Sequence, residues 1–154
     1  MRTVVAIVIF ALPGLASACD LKIEGKWRSE KAETMRFNRE HARLQPKADS
    51  FLDALMGNMT LEFGDGEIQS RMPDLNVPVN GSPVAFAGFE ERKPYTLLLC
   101  NDLGVVISSP ETGSGRMLAT TYYFVGPDLF WVYAGSNDPK MPDLHIREYF
   151  RRVR

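Results

Sequence analysis

The sequence is poor in the residues that announce chemistry: 154 residues carry only two cysteines and two histidines. His41 and His145 have no histidine partner at metal-ligand spacing, so a zinc or metalloprotease centre lacks its ligands, and no metal or cofactor is expected. No Gly-x-Ser-x-Gly elbow occurs, and Gly113-Ser114-Gly115 reads as a flexible loop. The adjacent acids Glu90 and Glu91 point to opposite faces of a strand and cannot act as a catalytic pair. Charge of one sign is also lacking. Lys and Arg number 18 against 19 Asp and Glu, which removes any broad electrostatic reason to bind nucleic acid or anionic lipid. The one basic concentration, Arg147, Arg151, Arg152 and Arg154, is interrupted by Glu148 and aromatics and reads as a strand with a solvated basic edge.

Long hydrophobic runs are absent after residue 18, so no transmembrane helix is expected there. Before it, Arg2, the apolar run from Thr3 to Leu15 and the small residues Ala16, Ser17 and Ala18 read as a signal peptide over residues 1–18. The run is too short to span a bilayer and is broken by Pro13 and Gly14. The chain is therefore expected to be periplasmic or secreted, with residues 19–154 as a single β domain. Cys19, the first residue after the expected cut, has two readings. It forms a disulfide with Cys100 in an oxidising compartment, or it carries a lipid anchor that makes the protein a membrane-tethered lipoprotein.

What is present is mostly β pattern. Leu21, Ile23 and Gly25-Lys26-Trp27 open a first strand, and one helical region follows. There Asn38 is expected to cap a short helix through Leu44, and Pro46 to begin a second along which Ala48, Phe51, Leu52, Leu55, Met56 and Met59 recur at helical spacing. That stripe predicts a helix lying on a sheet or closing one end of a barrel. From Met59 the period becomes two. Strands are expected at Met59–Phe63, Glu67–Met72, Val84–Arg92, Tyr95–Cys100, Val105–Ser109, Met117–Val125, Leu129–Ala134 and Leu144–Val153, with Pro73 to Gly81 as a loop. The fold class is mainly β: a small antiparallel barrel or strongly curved sheet of about nine strands, with one helical segment after the first strand.

The last strand places Leu144, Ile146, Glu148 and Phe150 on one face and His145, Arg147, Tyr149 and Arg151 on the other. Glu148 is thus a carboxylate among core residues and must be paired or neutralised, by an arginine, a Tyr hydroxyl or the Trp27 indole N–H, as a hydrogen-bonding latch. Catalysis by Glu148 with His145 or Tyr149 is disfavoured, because sequence neighbours on a strand face apart. Met72-Pro73-Asp74-Leu75 recurs as Met141-Pro142-Asp143-Leu144, and with His145 these methionines suggest a soft Cu(I) set. Pro-Asp is ordinary turn chemistry, and the repeat is read as two turns.

Gly25-x-Trp27 on the first strand, many short antiparallel strands and an arginine-bearing last strand resemble the lipocalin and wider calycin pattern. The pairing of Gly-x-Trp with Glu148-Tyr149-Phe150-Arg151-Arg152 also resembles small exported bacterial proteins. The resemblance implies that Trp27 closes one end of a barrel beneath an arginine of the last strand, Arg147 or Arg151, as a cation over an aromatic face. The chain departs from the pattern by lacking a Thr-Asp-Tyr element and by inserting helix-bearing chain after the first strand.

These features predict a non-enzymatic binding module whose β-barrel cavity or cleft takes a small apolar or amphipathic ligand, with Tyr122, Phe124, Trp131, Tyr133 and Phe150 as candidate lining residues. The alternative is a periplasmic protein-binding module, such as an inhibitor of a hydrolase, acting through the loops Pro73 to Pro83 and Gly135 to Pro142. The partner is accordingly an unknown small molecule or an exported protein.

Overall fold

A computed structural model describes residues 21–42, 44–134 and 145–154. The expected signal peptide over residues 1–18, Cys19, Met141 and the loop Gly135 to Pro142 fall outside the described residues. The elements in chain order are β1 (Gly25–Ser29), α1 (Lys31–His41), α2 (Pro46–Leu55), β2 (Thr60–Gly64), β3 (Glu67–Met72), β4 (Leu75–Val79), β5 (Ser82–Phe86), β6 (Phe89–Pro94), β7 (Thr96–Asn101), β8 (Gly104–Pro110), β9 (Met117–Gly126), β10 (Leu129–Tyr133) and β11 (Arg147–Arg152).

Nine strands form one antiparallel sheet in the order β6-β3-β2-β1-β11-β10-β9-β8-β7, nearly closed into a barrel. The chain itself shows why it curls. β6 and β7 are the two edges of the sheet, yet Tyr95 alone separates them in sequence. An open flat sheet would hold these edges eight strand spacings apart, so the sheet must bend round until the end of β6 and the start of β7 come together at Tyr95. Pro94, which has no N–H to give a ladder, marks the bend, and the Tyr95 N–H donates to Gly66 O at 2.8 Å. Beyond the bend β6 lies against β8, and the Thr112 hydroxyl donates to the Glu91 carboxylate across the seam.

β4 and β5 form a separate two-stranded hairpin inserted between β3 and β6, with β4 packed on α2. The segment expected to be a loop from Pro73 to Gly81 is therefore largely strand, and the single strand expected from Val84 to Arg92 is broken in two. Gly88 makes the break: a Cβ there would lie 2.4 Å from Met72 O. Asn80 and Gly81, both at positive φ (52° and 83°), turn the hairpin as a type I′ pair.

The interior is filled from alternate positions. Trp27, Phe63, Phe130 and Phe150 are at most 2% exposed, and Leu61, Ile68, Val105, Ile107 and Tyr122 pack with them. Each such side chain contributes roughly 1.5–3 kcal/mol of burial free energy. A second cluster, Met35, Ala42, Leu52, Met56 and Ile146, joins the helices to the approach to β11.

α1 begins at Lys31, so Asn38 is not the N-cap expected of it but lies inside the helix, fully buried with Thr34. β1 pairs with β11 only from Phe150 onward, which leaves the backbone of Arg147 to Tyr149 without a strand on that side. α1 replaces the missing strand. The Asn38 amide donates to Arg147 O and accepts from Arg147 N, both at 2.9 Å, and Thr34 Oγ1 accepts from Tyr149 N at 2.9 Å. The i, i+4 spacing of Thr34 and Asn38 puts both on one helix face, level with alternate residues of the strand edge.

Candidate functional site

The five aromatics expected to line a cavity do not share a surface. Tyr122, Phe124 and Phe150 face inward and pack round Phe130, with ring centroids 5.2, 5.6 and 5.4 Å from it. Burial pushes the Tyr122 hydroxyl above the usual phenol range. Trp131 and Tyr133 sit on the outer face, since β10 alternates. Trp131 stacks on Tyr123 at 4.1 Å and carries the Arg147 guanidinium 3.8 Å above its ring. Arg147 also lies 4.2 Å from the Phe37 ring, which ties α1 to the outside of the sheet.

The cation over Trp27 is Arg152, with its guanidinium carbon 4.1 Å from the ring centroid. Arg147 and Arg151, the residues expected there, face outward. β11 register explains the difference, because Arg152 is the partner of Trp27 on β1 and continues the inward face of Glu148 and Phe150. Arg151 instead pairs with Glu30 at 2.9 Å on the exposed side. Arg152 donates to Glu24 O at 2.7 Å and to Lys22 O, while its Nε lies 3.4 Å from Asp128. The Trp27 indole N–H donates to Ile23 O at 2.7 Å. Residues 21–24 are thus strapped across this end of the barrel.

Glu148 is buried and faces inward, as its alternation with Tyr149 required. Its partner is not the arginine, Tyr hydroxyl or Trp27 N–H expected: the Ser29 hydroxyl donates to Glu148 Oε1 at 2.6 Å and accepts from Gly57 N–H at 2.9 Å. Burial pushes the Glu148 carboxyl up to about 6, against the opposing pull of the Ser29 hydrogen bond. Tyr149 faces outward, and His145 is exposed ahead of the strand. Met72, weighed from sequence against a copper role and read as part of a turn, is buried in the barrel wall opposite Phe89.

The opposite end differs. Strand register carries the inward face from Trp27 through Leu61 and Ser70 to Glu91, and from Phe63 through Ile68 to Lys93. Glu91 and Lys93 are therefore an inward-facing ion pair, N to O 3.6 Å, with side chains only 27% and 23% exposed. On the facing wall, Ile107 and Ser109 of β8 are buried, but their inward partners Leu97 and Leu118 are 53% and 37% exposed. Apolar side chains that point into a barrel and still meet solvent mark an open mouth. Its wall combines Leu97 and Leu118 with the hydroxyls of Ser70 and Ser109 and the Glu91–Lys93 pair. None of these was singled out from sequence as lining a site, because the inward identity of β6 depends on its register against β3.

No family model, curated protein or solved structure matches this chain. The geometry of the mouth stands on its own. Cys100 faces inward opposite Val105 and holds no free thiol. Among the described residues no helix is long and apolar enough to cross a membrane.

Proposed function

We propose that the protein is an exported, non-enzymatic binding module that holds a small amphipathic molecule at the open end of a lipocalin-like barrel. The observation that carries this reading is the exposure of Leu97 and Leu118 on the inward face beside the Glu91–Lys93 pair. Apolar wall and a few fixed polar groups are what a small-molecule site needs: the first supplies affinity and the second orientation. The ligand's apolar part meets the two leucines, and its polar end meets the ion pair and the serine hydroxyls. Inward charges on an edge strand also discourage strand-to-strand aggregation, and that role alone would account for Glu91 and Lys93. It does not account for uncovered inward leucines. Arg152 above Trp27 supports the lipocalin-like reading of the other, closed end.

Native mass spectrometry of the protein taken from its own compartment tests for a co-purifying small molecule. Titration with anilinonaphthalene sulfonate tests the mouth: dye fluorescence is expected in the parent and lost in Leu97→Glu/Leu118→Glu. Equal dye binding by both proteins, with no co-purifying molecule, removes the reading.

A second reading, a protein-binding module such as a hydrolase inhibitor, is favoured by one observation. The β4–β5 hairpin stands apart from the barrel sheet and exposes Val79 and Val84. A co-purifying protein released by deleting that hairpin supports it.

A further inference from the structure

Four neighbouring strands, β7 to β10, contain no Asp, Glu, Lys, Arg or His. The other half of the barrel is the reverse. There Lys26, Glu62, Gln69 and Arg92 form one outward row, while Arg28, Thr60, Arg71 and Glu90 form the next. On the uncharged half the outward residues Leu99, Tyr123 and Val125 are exposed, with Leu103 from the β7–β8 turn beside them. Val125 and Leu103 reach 63% and 74% exposure.

This face ends at β7, the last strand of the sheet, where Leu98 and Leu99 are each more than half exposed. Edge strands are normally guarded by lysine, proline or a covering element, because their backbone groups template further pairing. From Thr96 to Leu99 the guard is a single bulge between Leu97 and Leu99.

We infer that a second copy of this chain occupies this edge and face, with β7 pairing antiparallel to β7 across a two-fold axis. Charge selects that occupant. An isologous interface brings each residue near its own copy, so any charge close to the axis meets its like, and like charges opposite one another across strands are destabilising. Among the described residues the one charge laid on these four strands is Arg147 over Trp131 of β10, three strands away from the β7 edge, so the face meets that demand at the axis. An anionic bilayer is disfavoured, since Arg147, already seated between the Trp131 and Phe37 rings, is the one described cation on the face and the adjoining turn carries Asp102. A foreign protein would be recognised by an opposing charge pattern, and around β7 there is none to oppose. The surface is distinct from the mouth, whose leucines point inward.

Sedimentation velocity of the full exported chain over a wide concentration range reads the outcome. Reversible association to twice the protomer mass is expected, weakened about 100-fold or more in Leu98→Lys/Leu99→Lys and unchanged in Leu118→Glu. Circular dichroism checks that the variants are folded. Hydrogen exchange on the parent protein gives a second measurement that needs no variant: the amides of Leu98 and Leu99 should slow as concentration rises. A monomer at every concentration overturns the proposal, including one that sediments with phosphatidylglycerol vesicles or with a foreign protein. A dimer that survives both lysines in a folded variant overturns it as well.

Discussion

Arg152 stands over Trp27, and Gly25 leaves it the room to do so. A Cβ on Gly25 would lie 2.9 Å from Arg152 Nη1, and the residue holds φ at +114°, a conformation that side chains other than hydrogen rarely adopt. The Gly-x-Trp pattern thus has a local physical cause. The glycine makes the turn into β1 and clears the space, while the tryptophan supplies the platform.

Arg152→Met keeps the aliphatic stem but removes the cation and its bonds to two backbone carbonyls. We expect a loss of about 1–3 kcal/mol in urea unfolding followed by tryptophan fluorescence. Arg151→Met breaks only the Glu30 pair, which is half-exposed, and should cost less than about 1 kcal/mol. Equal losses would mean that the stacked cation adds nothing to the closed end.

Asn38→Ala strands the N–H and C=O of Arg147, because no other described side chain reaches that pair. Removing both partners of a buried edge should cost about 2–4 kcal/mol. Asn38→Asp keeps the acceptor but sets a carboxylate against the Arg147 carbonyl, so it should rescue little. Thermal unfolding of the three proteins in parallel checks the order.

Period-two alternation made the barrel wall legible, and on β11 it placed Glu148 and Phe150 inside with Tyr149 outside. Carried two residues further it reaches Arg152, so the latch arginine was within reach of the same rule. The hairpin was hidden by Pro73, Pro78 and Pro83. Pro78 and Pro83 are in fact register partners, in a two-stranded ribbon that has no third strand to which either would owe a hydrogen bond. The Asn80-Gly81 turn was the signal that outweighed them. The mouth was harder. In the sequence Glu91 figures only as half of an adjacent acid pair and Lys93 not at all, because it is the β3–β6 register that turns both inward. No local pattern shows that β6 and β7 are the two rims of one sheet.

Pairing of Cys100 with Cys19, the other cysteine of the chain, is expected to tie the start of the β domain to β7. Closing a loop of about 80 residues contributes up to about 4 kcal/mol in the chain-entropy account. Cys100→Ser should lower stability by a comparable amount, as should reduction of the parent. The intact mass of the unreduced protein decides between the disulfide and the lipid expected of Cys19. A chain lighter by two hydrogens supports the bond, and an added diacylglycerol mass excludes it.

Glu148 gives stability a pH dependence opposite to that of the surface carboxylates. Its carboxyl is held at about 6 in the fold against an ordinary 4.5, so the native state binds the proton more tightly than the unfolded chain does. Stability from this group is therefore full below pH 4.5 and is lost as pH rises through 6, by about 2 kcal/mol in all. Asp53 and Glu90 are held below the usual range, the first chiefly by Lys31 and the second chiefly by Arg71, and they act the other way, at lower pH. Between pH 5 and 7 the unfolding free energy of the parent should fall, and in Glu148→Gln that slope should flatten. The glutamine keeps an oxygen for the Ser29 hydroxyl and never ionises, so the flattening isolates the buried charge from the loss of the latch. A slope that persists unchanged in the variant would leave Glu148 a neutral link between Ser29 and the barrel core.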